Sequence, residues 1–455
     1  MPISPARRIA FEVLRRVQTE GAYANDVLHS ELNARVKPED AALATELVLG
    51  VLRWQRLLDF LLEKQTKKPP ERLDLAVSIA LRIGLYQIRF LRKIPLRAAV
   101  YESVELVKRG RKSSAASLVN AVLRRSAESI QPVEGLLPDD ISHAERLGIL
   151  YSHPTWIVER WLVRFGEART IALLEANNRP PRLSCTLHNP GEREQLFASL
   201  KRASLRVEPG TLLHNAFAVS GRSPARTEPF RAGQFSIQDE ASQGIPLLLG
   251  VQTGDRVLDL CAAPGGKTPP LVRAAGQNGL VVATDRHAHR LRDMKAQFVR
   301  LGLSNVPLVE LDASRPLPFR SFFNRILVDA PCSGTGTLAR HPEIRWRLRP
   351  QQLSELHQVQ IALLAAGLAQ LAPGGRLVYS TCSLEPEENE EVVAEVLHAV
   401  RSVRRVSPPE ATRLLAPHLV AGISATTLLD SDGQFRTLPG DQNCDGFFAA
   451  ILERR

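Results

Sequence analysis

Val257-Leu258-Asp259-Leu260 runs directly into Cys261-Ala262-Ala263-Pro264-Gly265-Gly266-Lys267-Thr268. A short apolar run ending in a glycine pair, with helical spacing beyond it, reads as the strand–loop–helix opening of a nucleotide-type α/β fold. Further short apolar runs follow at 280–284, 325–328 and 376–379, with helical stretches between them, notably 288–301 and 352–371. Strands and helices alternating in this way predict a parallel, doubly wound sheet. The late apolar run 446–452 is one more strand candidate.

Three ligands compete for the glycine loop. A phosphate-binding loop needs G-x-x-x-x-G-K-[ST]. Gly266-Lys267-Thr268 match its end, but Cys261 stands where the first glycine belongs. A dinucleotide G-x-G-x-x-G is absent. S-adenosylmethionine carries no phosphate; it needs room for its methionine part and a carboxylate for its ribose hydroxyls. Asp285 ends the second strand, 20 residues after Gly265, where an acidic residue grips a ribose. It equally suits a cap on the following helix, and the two roles are compatible. Asp312, near the end of a third candidate strand, falls by fold analogy where an adenine would lie; a solvated loop carboxylate is the plainer reading. Pro269-Pro270 fits a first helical turn, where no N–H is needed.

The next two strands end in cysteines. One runs into Asp329-Ala330-Pro331-Cys332-Ser333-Gly334, the other into Ser380-Thr381-Cys382-Ser383. The carboxyl edge of an open α/β sheet is where such folds build their sites. A lone free cysteine is commonly a small buried hydrophobe; two at neighbouring strand ends point to shared chemistry. C5 of a pyrimidine is a poor nucleophile. A thiolate added at C6 makes C5 an enamine carbon able to attack a methyl sulfonium, which is covalent catalysis. A base must afterwards remove the C5 proton so that the thiol leaves. Asp329 is placed to hydrogen-bond N3 or the exocyclic amine of the base. Residue order alone does not say which cysteine attacks.

Outward from this core, the 455 residues suggest several domains at roughly 100–200 residues each. Residues 1–130 show helical periodicity broken by Gly21, Pro38, Pro69-Pro70 and Pro95, and read as an all-α bundle. Residues 131–150 read as a linker, 151–240 as a small α+β segment and 241–455 as the catalytic α/β domain. Charge is uneven. Residues 1–130 hold 23 Lys+Arg against 14 Asp+Glu, whereas the rest hold 36 against 34. A basic module on a nearly neutral one suits a polyanion docked by the first and processed by the second. Five cysteines, widely spaced and without a C-x-x-C pair, argue against a disulfide framework and a zinc site. No run reaches the ~18–20 apolar residues of a membrane span, and no leader pattern opens the chain. A cytoplasmic monomer, with no membrane or metal partner, is expected.

The runs CAAPGGKT, DAPCSGTG and YSTCSLEPEEN resemble the Nol1/Nop2/Sun family of RNA cytosine-C5 methyltransferases. Ser236-Ile237-Gln238-Asp239-Glu240-Ala241-Ser242 and the tail from Leu438-Pro439-Gly440 to Asp445-Gly446-Phe447-Phe448 are similar to other signatures of that family. Arg7-Arg8-Ile9-Ala10, Val51-Leu52-Arg53-Trp54 and Asn120-Ala121-Val122-Leu123-Arg124-Arg125 resemble the NusB-type RNA-binding domain. The resemblance covers nearly the whole chain. It implies a NusB-like bundle, a small α+β segment and a Rossmann-like, S-adenosylmethionine-dependent methyltransferase domain acting on one cytosine of small-subunit ribosomal RNA. It implies Cys382 as nucleophile and Cys332 as the residue assisting product release. It further implies that Cys261, Ala262, Ala263, Pro264, Gly265, Gly266 and Lys267, with Asp285, Asp312 and Asp329, contact the cofactor.

A basic stretch, Arg340-His341-Pro342-Glu343-Ile344-Arg345-Trp346-Arg347-Leu348-Arg349, follows the Pro-Cys loop. Arginines around an aromatic suit phosphate contact with base stacking, so Arg340, Arg345, Trp346, Arg347 and Arg349 are expected to touch RNA. The plainer reading is a solvated loop with one half-buried tryptophan. His341 has no partner at metal-ligand spacing. Two other functions fit the layout: a non-catalytic assembly factor on a degenerate fold, or an antitermination partner acting through the N-terminal part.

Overall fold

The computed structural model describes residues 3–32, 36–128, 131–319 and 322–455. The first two residues, where the leader reading began, and residues 129–130 at the bundle–linker boundary lie outside them. The chain forms two compact units: residues 1–180 with 338–347, and residues 181–337 with 348–455.

The first unit is helical. Its helices include Pro5–Thr19, Pro38–Arg53, Gln55–Thr66, Leu75–Phe90, Leu96–Arg109 and Ala116–Glu128. Their apolar stripes meet in one core, with Val13, Leu14, Leu47, Leu58, Ile83, Leu106 and Val122 fully buried or nearly so. Arg82 bridges helices there by pairing both carboxylate oxygens of Asp59 at 2.6 and 2.9 Å.

Two boundaries differ from the sequence reading. The expected linker 131–150 ends in a helix, His143–Leu150, which Ser142 caps through the Glu145 N–H. The helices Thr155–Phe165 and Glu167–Asn178, which open the α+β segment read from the sequence, pack within this unit. More unexpectedly, residues 338–347, drawn from deep inside the catalytic sequence, pack here as well.

That insertion corrects the RNA-contact reading for Arg345, Trp346 and Arg347, whose side chains bond within this unit. Arg345 is fully buried. Its guanidinium donates to the carbonyls of Arg53, Ser152, Asn177 and Leu338 and to the Asn178 side chain, at 2.9–3.3 Å. The Trp346 indole donates to the Leu52 carbonyl at 2.7 Å. Arg347 donates to the carbonyls of Gly21 and Val17 at 2.7 and 2.9 Å. Arg340 accepts a hydrogen bond from Asn25 through its carbonyl. Arg349 alone of the five is exposed. The planar fork of arginine suits several fixed acceptors, and helix C-termini and turns leave carbonyls that need donors.

The second unit holds two sheets. The smaller comprises β1 (Leu183–Leu187), β2 (Arg206–Pro209), β3 (Ala216–Ser220) and β4 (Phe235–Ile237), antiparallel in the order β2-β3-β1-β4. The larger comprises β5 (Arg256–Asp259), β6 (Leu280–Asp285), β7 (Leu308–Glu310), β8 (Phe323–Asp329), β9 (Leu371–Thr381), β10 (Val403–Arg405), β11 (Phe435–Thr437) and β12 (Phe447–Arg454). Its order is β10-β12-β9-β8-β5-β6-β7, with β11 on β12.

Strands β5 to β9 run parallel, as the alternating pattern predicts. The tail strand β12 runs antiparallel to β9, so the sheet is mixed and not wholly parallel. Both faces are covered, which explains the unbroken apolar runs. Val257, Leu327 and Val378 enter one core, while Leu258, Ile326, Val328 and Leu377 enter the other. The chain reverses direction across the sheet between β5 and β8, and ligand crevices form at such a switch point.

Replacing Arg345 with methionine leaves at least four carbonyls without their donor. It is expected to cost about 3 kcal/mol in urea unfolding of the full chain. Unchanged stability with weakened RNA binding would restore the RNA-contact reading.

Candidate functional site

Strand register brings the two cysteines together. Asp329 pairs with Ser380 at the ends of β8 and β9, and Cys332 and Cys382 follow just beyond. Their sulfurs lie 3.2 Å apart as free thiols. The hydrogen bond to Cys382, then burial, raises the Cys332 thiol well above the usual thiol range.

The loops behind them share one buried carboxylate, Glu388. It accepts from the Ser333 N–H at 2.8 Å, from Gln360 at 2.9 Å, and from the hydroxyls of both Ser333 and Ser383. These serines each directly follow a cysteine. Burial pushes the Glu388 carboxyl up, and the donors around it oppose that shift. Thr381 and Asn389 complete the clamp through a 2.5 Å hydrogen bond, and Asn389 donates to the Ser383 carbonyl.

The tail joins through Gly336. Its N–H donates to the Cys382 carbonyl, and its own carbonyl accepts from the Gly446 N–H. A Cβ at Gly336 would stand 2.2 Å from the Gly446 carbonyl oxygen, so only glycine lets these three segments approach.

Lys267 crosses from the glycine loop to Asp329, Nζ to Oδ2 at 2.6 Å, while Ser380 donates to Oδ1 at 2.7 Å. Burial works against the Lys267 ammonium, but the Asp329 carboxylate and this hydrogen bond outweigh it and raise its pKa. Lys267 also lies 5.1 Å from the centre of the Phe447 ring.

The loop from Cys261 to Lys267 lies at the carboxyl end of β5, tied to β6 by the Ala262 N–H donating to the Thr284 carbonyl at 2.8 Å. Gly265 has φ +95°, and a Cβ there would meet Met294 and Phe298 at 3.0–3.2 Å. Its small size serves packing against the helix Ala288–Arg300. A Cβ at Gly266 would come within 3.3 Å of Gln238. Pro269 and Pro270 sit in the first turn of the helix Thr268–Ala275, as their chemistry predicts.

Carboxylates cluster around this loop. Asp259, fully buried at the end of β5, takes the Thr268 hydroxyl on Oδ2 at 2.7 Å. Its Oδ1 is buried without a partner among the described residues. Burial, with Asp329 and Asp285 adding to it, pushes Asp259 up to about 7. Asp285 is buried and accepts from the His287 N–H; it does not cap the helix Ala288–Arg300, whose N-cap is His287. Asp312 is exposed; it takes both the N–H and the hydroxyl of Ser314 and lies near Arg315. The Ser314 hydroxyl, then its N–H, keep it below the usual carboxylate range. Burial, then the Asp259, Asp329 and Asp285 carboxylates, push the Cys261 thiol far up, which makes it inert.

Sequence reasoning missed Glu388, Gln360 and Asp259. Glu388 stood within the quoted run YSTCSLEPEEN, but nothing in its spacing tells it from the two other acidic residues there. Among the described residues, no group of three or more His, Cys, Asp or Glu could hold a metal ion. No helix among them is long and apolar enough to cross a membrane.

Replacing Glu388 with alanine orphans a backbone N–H, two hydroxyls and an amide. The expected cost is about 2–4 kcal/mol of unfolding free energy, with Glu388→Gln intermediate. A loss under about 0.5 kcal/mol, the range of ordinary surface changes, would mean that the clamp is not needed.

The family model described as 16S rRNA methyltransferase RsmB/F matches residues 246–453. A NusB family model matches 4–128, and an RsmF/B-like ferredoxin-like domain model matches 153–225. A probable ribosomal RNA small subunit methyltransferase B from Synechocystis sp. is 33% identical over 457 residues, covering 99% of each chain. A probable ribosomal RNA small subunit methyltransferase B from Bacillus subtilis is 32% identical and covers each chain fully. The crystal structure of PH0851 has the same fold over the whole of both chains, with TM-score 0.82 and 23% identity. By its family models, and by identity over its full length, the chain belongs to the RsmB/F family of 16S rRNA methyltransferases, with a NusB-like domain ahead of the catalytic one.

Proposed function

We propose that the protein methylates C5 of one cytosine in small-subunit ribosomal RNA, through a covalent bond between Cys382 and C6 of the base. The observation that carries this reading is the pair of sulfurs 3.2 Å apart at the ends of adjacent strands. One thiol is kept protonated by its bond to the other.

The proposed cofactor is S-adenosylmethionine, which supplies an electrophilic methyl group when bound. The residues at the glycine loop fit it. It is a cation with an ammonium, a sulfonium and ribose hydroxyls, and this loop offers carboxylates. Asp259 has a buried, unpartnered oxygen of the kind an ammonium satisfies. Asp285 ends β6, where a ribose-binding carboxylate belongs. Residues 261–266, and the more exposed Asp312, complete the set.

The chain's own residues divide the remaining work. Asp329, fixed by Lys267 and Ser380, holds the pyrimidine by accepting from its exocyclic amine, or from N3 once N3 gains a proton on thiolate addition. The Cys382 sulfur adds to C6, and C5 gains the electron density it lacks in the free base. After methylation a base takes the C5 proton, the C5–H electron pair restores the C5–C6 double bond, and the C6–S pair leaves with the Cys382 sulfur as a thiolate. Cys332, beside the departing sulfur, assists this release. The basic first unit offers a groove lined by Arg8, Arg15, Lys37, Arg109 and Arg111, an excess over its Glu12, Glu31 and Asp40, for the RNA backbone.

The cysteine order is tested with full-length protein, small-subunit RNA and S-adenosylmethionine, by following protein–RNA adducts on denaturing gels. Cys382→Ala should form no adduct and transfer no methyl group. Cys332→Ala should accumulate adduct and turn over poorly. The reverse pattern would exchange the two roles, and adducts from neither would remove the covalent route.

A further inference from the structure

A second cavity lies in the catalytic unit, behind the glycine loop. It has a volume of about 200 Å³. His188, Asn215, Gln238, Gln243, Arg273 and His418 are among its lining residues, and no carboxylate is. The motif at 236–242 builds it. Glu240, buried, accepts from the N–H groups of Thr211, Leu212 and Leu213 and so fixes the segment leading to Asn215. Asp239 accepts from the N–H groups of Ala241 and Asp445. Gln238 stands between the cavity and the glycine loop, with its side chain 3.3 Å from where a Gly266 Cβ would be.

The chemistry of the cavity is specific. The Asn215 Oδ1 is buried without a partner among the described residues. Gln238 donates its amide N–H to Ser242, and Gln243 donates its own to the Gln238 backbone carbonyl. Each glutamine thus has one amide N–H engaged, with its second N–H and its side-chain carbonyl left over. The orphaned Asn215 Oδ1 asks for an N–H donor. Arg273 is exposed at its rim, and none of its nitrogens has a hydrogen-bond or ion-pair partner among the described residues. Burial, then the Arg273 and Arg300 charges, brings His188 down to about 3, so its ring stays neutral and offers a flat face. A volume below the ~300–1,000 Å³ of sites for larger ligands admits a single ring system.

We propose that this cavity takes the amine-bearing base of an unpaired RNA nucleotide, distinct from the one that is methylated, with Arg273 on its phosphate. Splayed-out bases read on their edges and stacked on flat side chains are the usual currency of sequence-specific RNA recognition. The pocket therefore sets which RNA is held, while the cysteines act on another nucleotide. This rests on the RNA-methylation reading above.

The test uses full-length protein and a small-subunit RNA transcript carrying thioguanosine, crosslinked by ultraviolet light without cofactor. Crosslinked peptides should include residues 186–188 or 213–215. Arg273→Glu should abolish those crosslinks. It should also raise KM for the RNA about tenfold, equivalent to about 1.4 kcal/mol, with kcat and cofactor affinity unchanged. Arg273→Lys should recover most of the loss. If methyl transfer proceeds, the crosslinks fall elsewhere and Arg273→Glu leaves KM unchanged, the pocket proposal fails and the activity stands. If the unaltered protein transfers no methyl group to any RNA, the functional reading fails and the pocket proposal falls with it.

Discussion

A single buried carboxylate holds the two reactive loops in one geometry. Glu388 takes hydrogen bonds from the residue after each cysteine, so neither loop moves without breaking a bond to a shared, desolvated charge. Such a charge is costly to bury and more costly to leave unpaired. That cost is what makes the arrangement rigid. A geometry held in advance is what the proposed two-sulfur route needs, because misplacement of about 1 Å can cost two orders of magnitude in rate. Gly336, wedged between the Cys382 and Gly446 backbones, extends the constraint to the tail strand.

Around this clamp the electrostatics divide into two zones. Asp259 and Asp285 leave the glycine loop electronegative and suited to a cationic cofactor. Lys267 closes that zone against Asp329 and leaves the pyrimidine side with a fixed, paired carboxylate. The second cavity has the opposite character, with an arginine, neutral imidazoles and amides and no carboxylate. The two zones meet at Gly266 and Gln238.

Much of this was legible in the sequence, and the reasons are physical. The strand–loop–helix opening at 257–268 announced the α/β domain because a strand covered on both faces must be continuously apolar. Cys332 and Cys382 stood out because each closely follows such a run. Their mutual approach depends on β8 and β9 being neighbours in register, which no local pattern encodes. The antiparallel β12 reads locally like any other buried strand. Glu388 was hidden among Glu385 and Glu387, since its role comes from long-range partners such as Ser333. The stretch from Arg340 to Arg349 misled for a related reason. Arginines around a tryptophan look the same whether they face phosphates or, as Arg345 does, a nest of backbone carbonyls. The glycine pair was placed correctly, but Gly265 turned out to relieve Met294 and Phe298.

The most direct test of the central claim is the identity of the methylated atom. Full-length protein would be incubated with methyl-labelled S-adenosylmethionine and small-subunit ribosomal RNA, and the RNA digested to nucleosides. The account predicts label in 5-methylcytidine alone, at one position. Label on a ring nitrogen, an exocyclic amine or a ribose hydroxyl would contradict it, since none of those acceptors calls for a thiolate at C6.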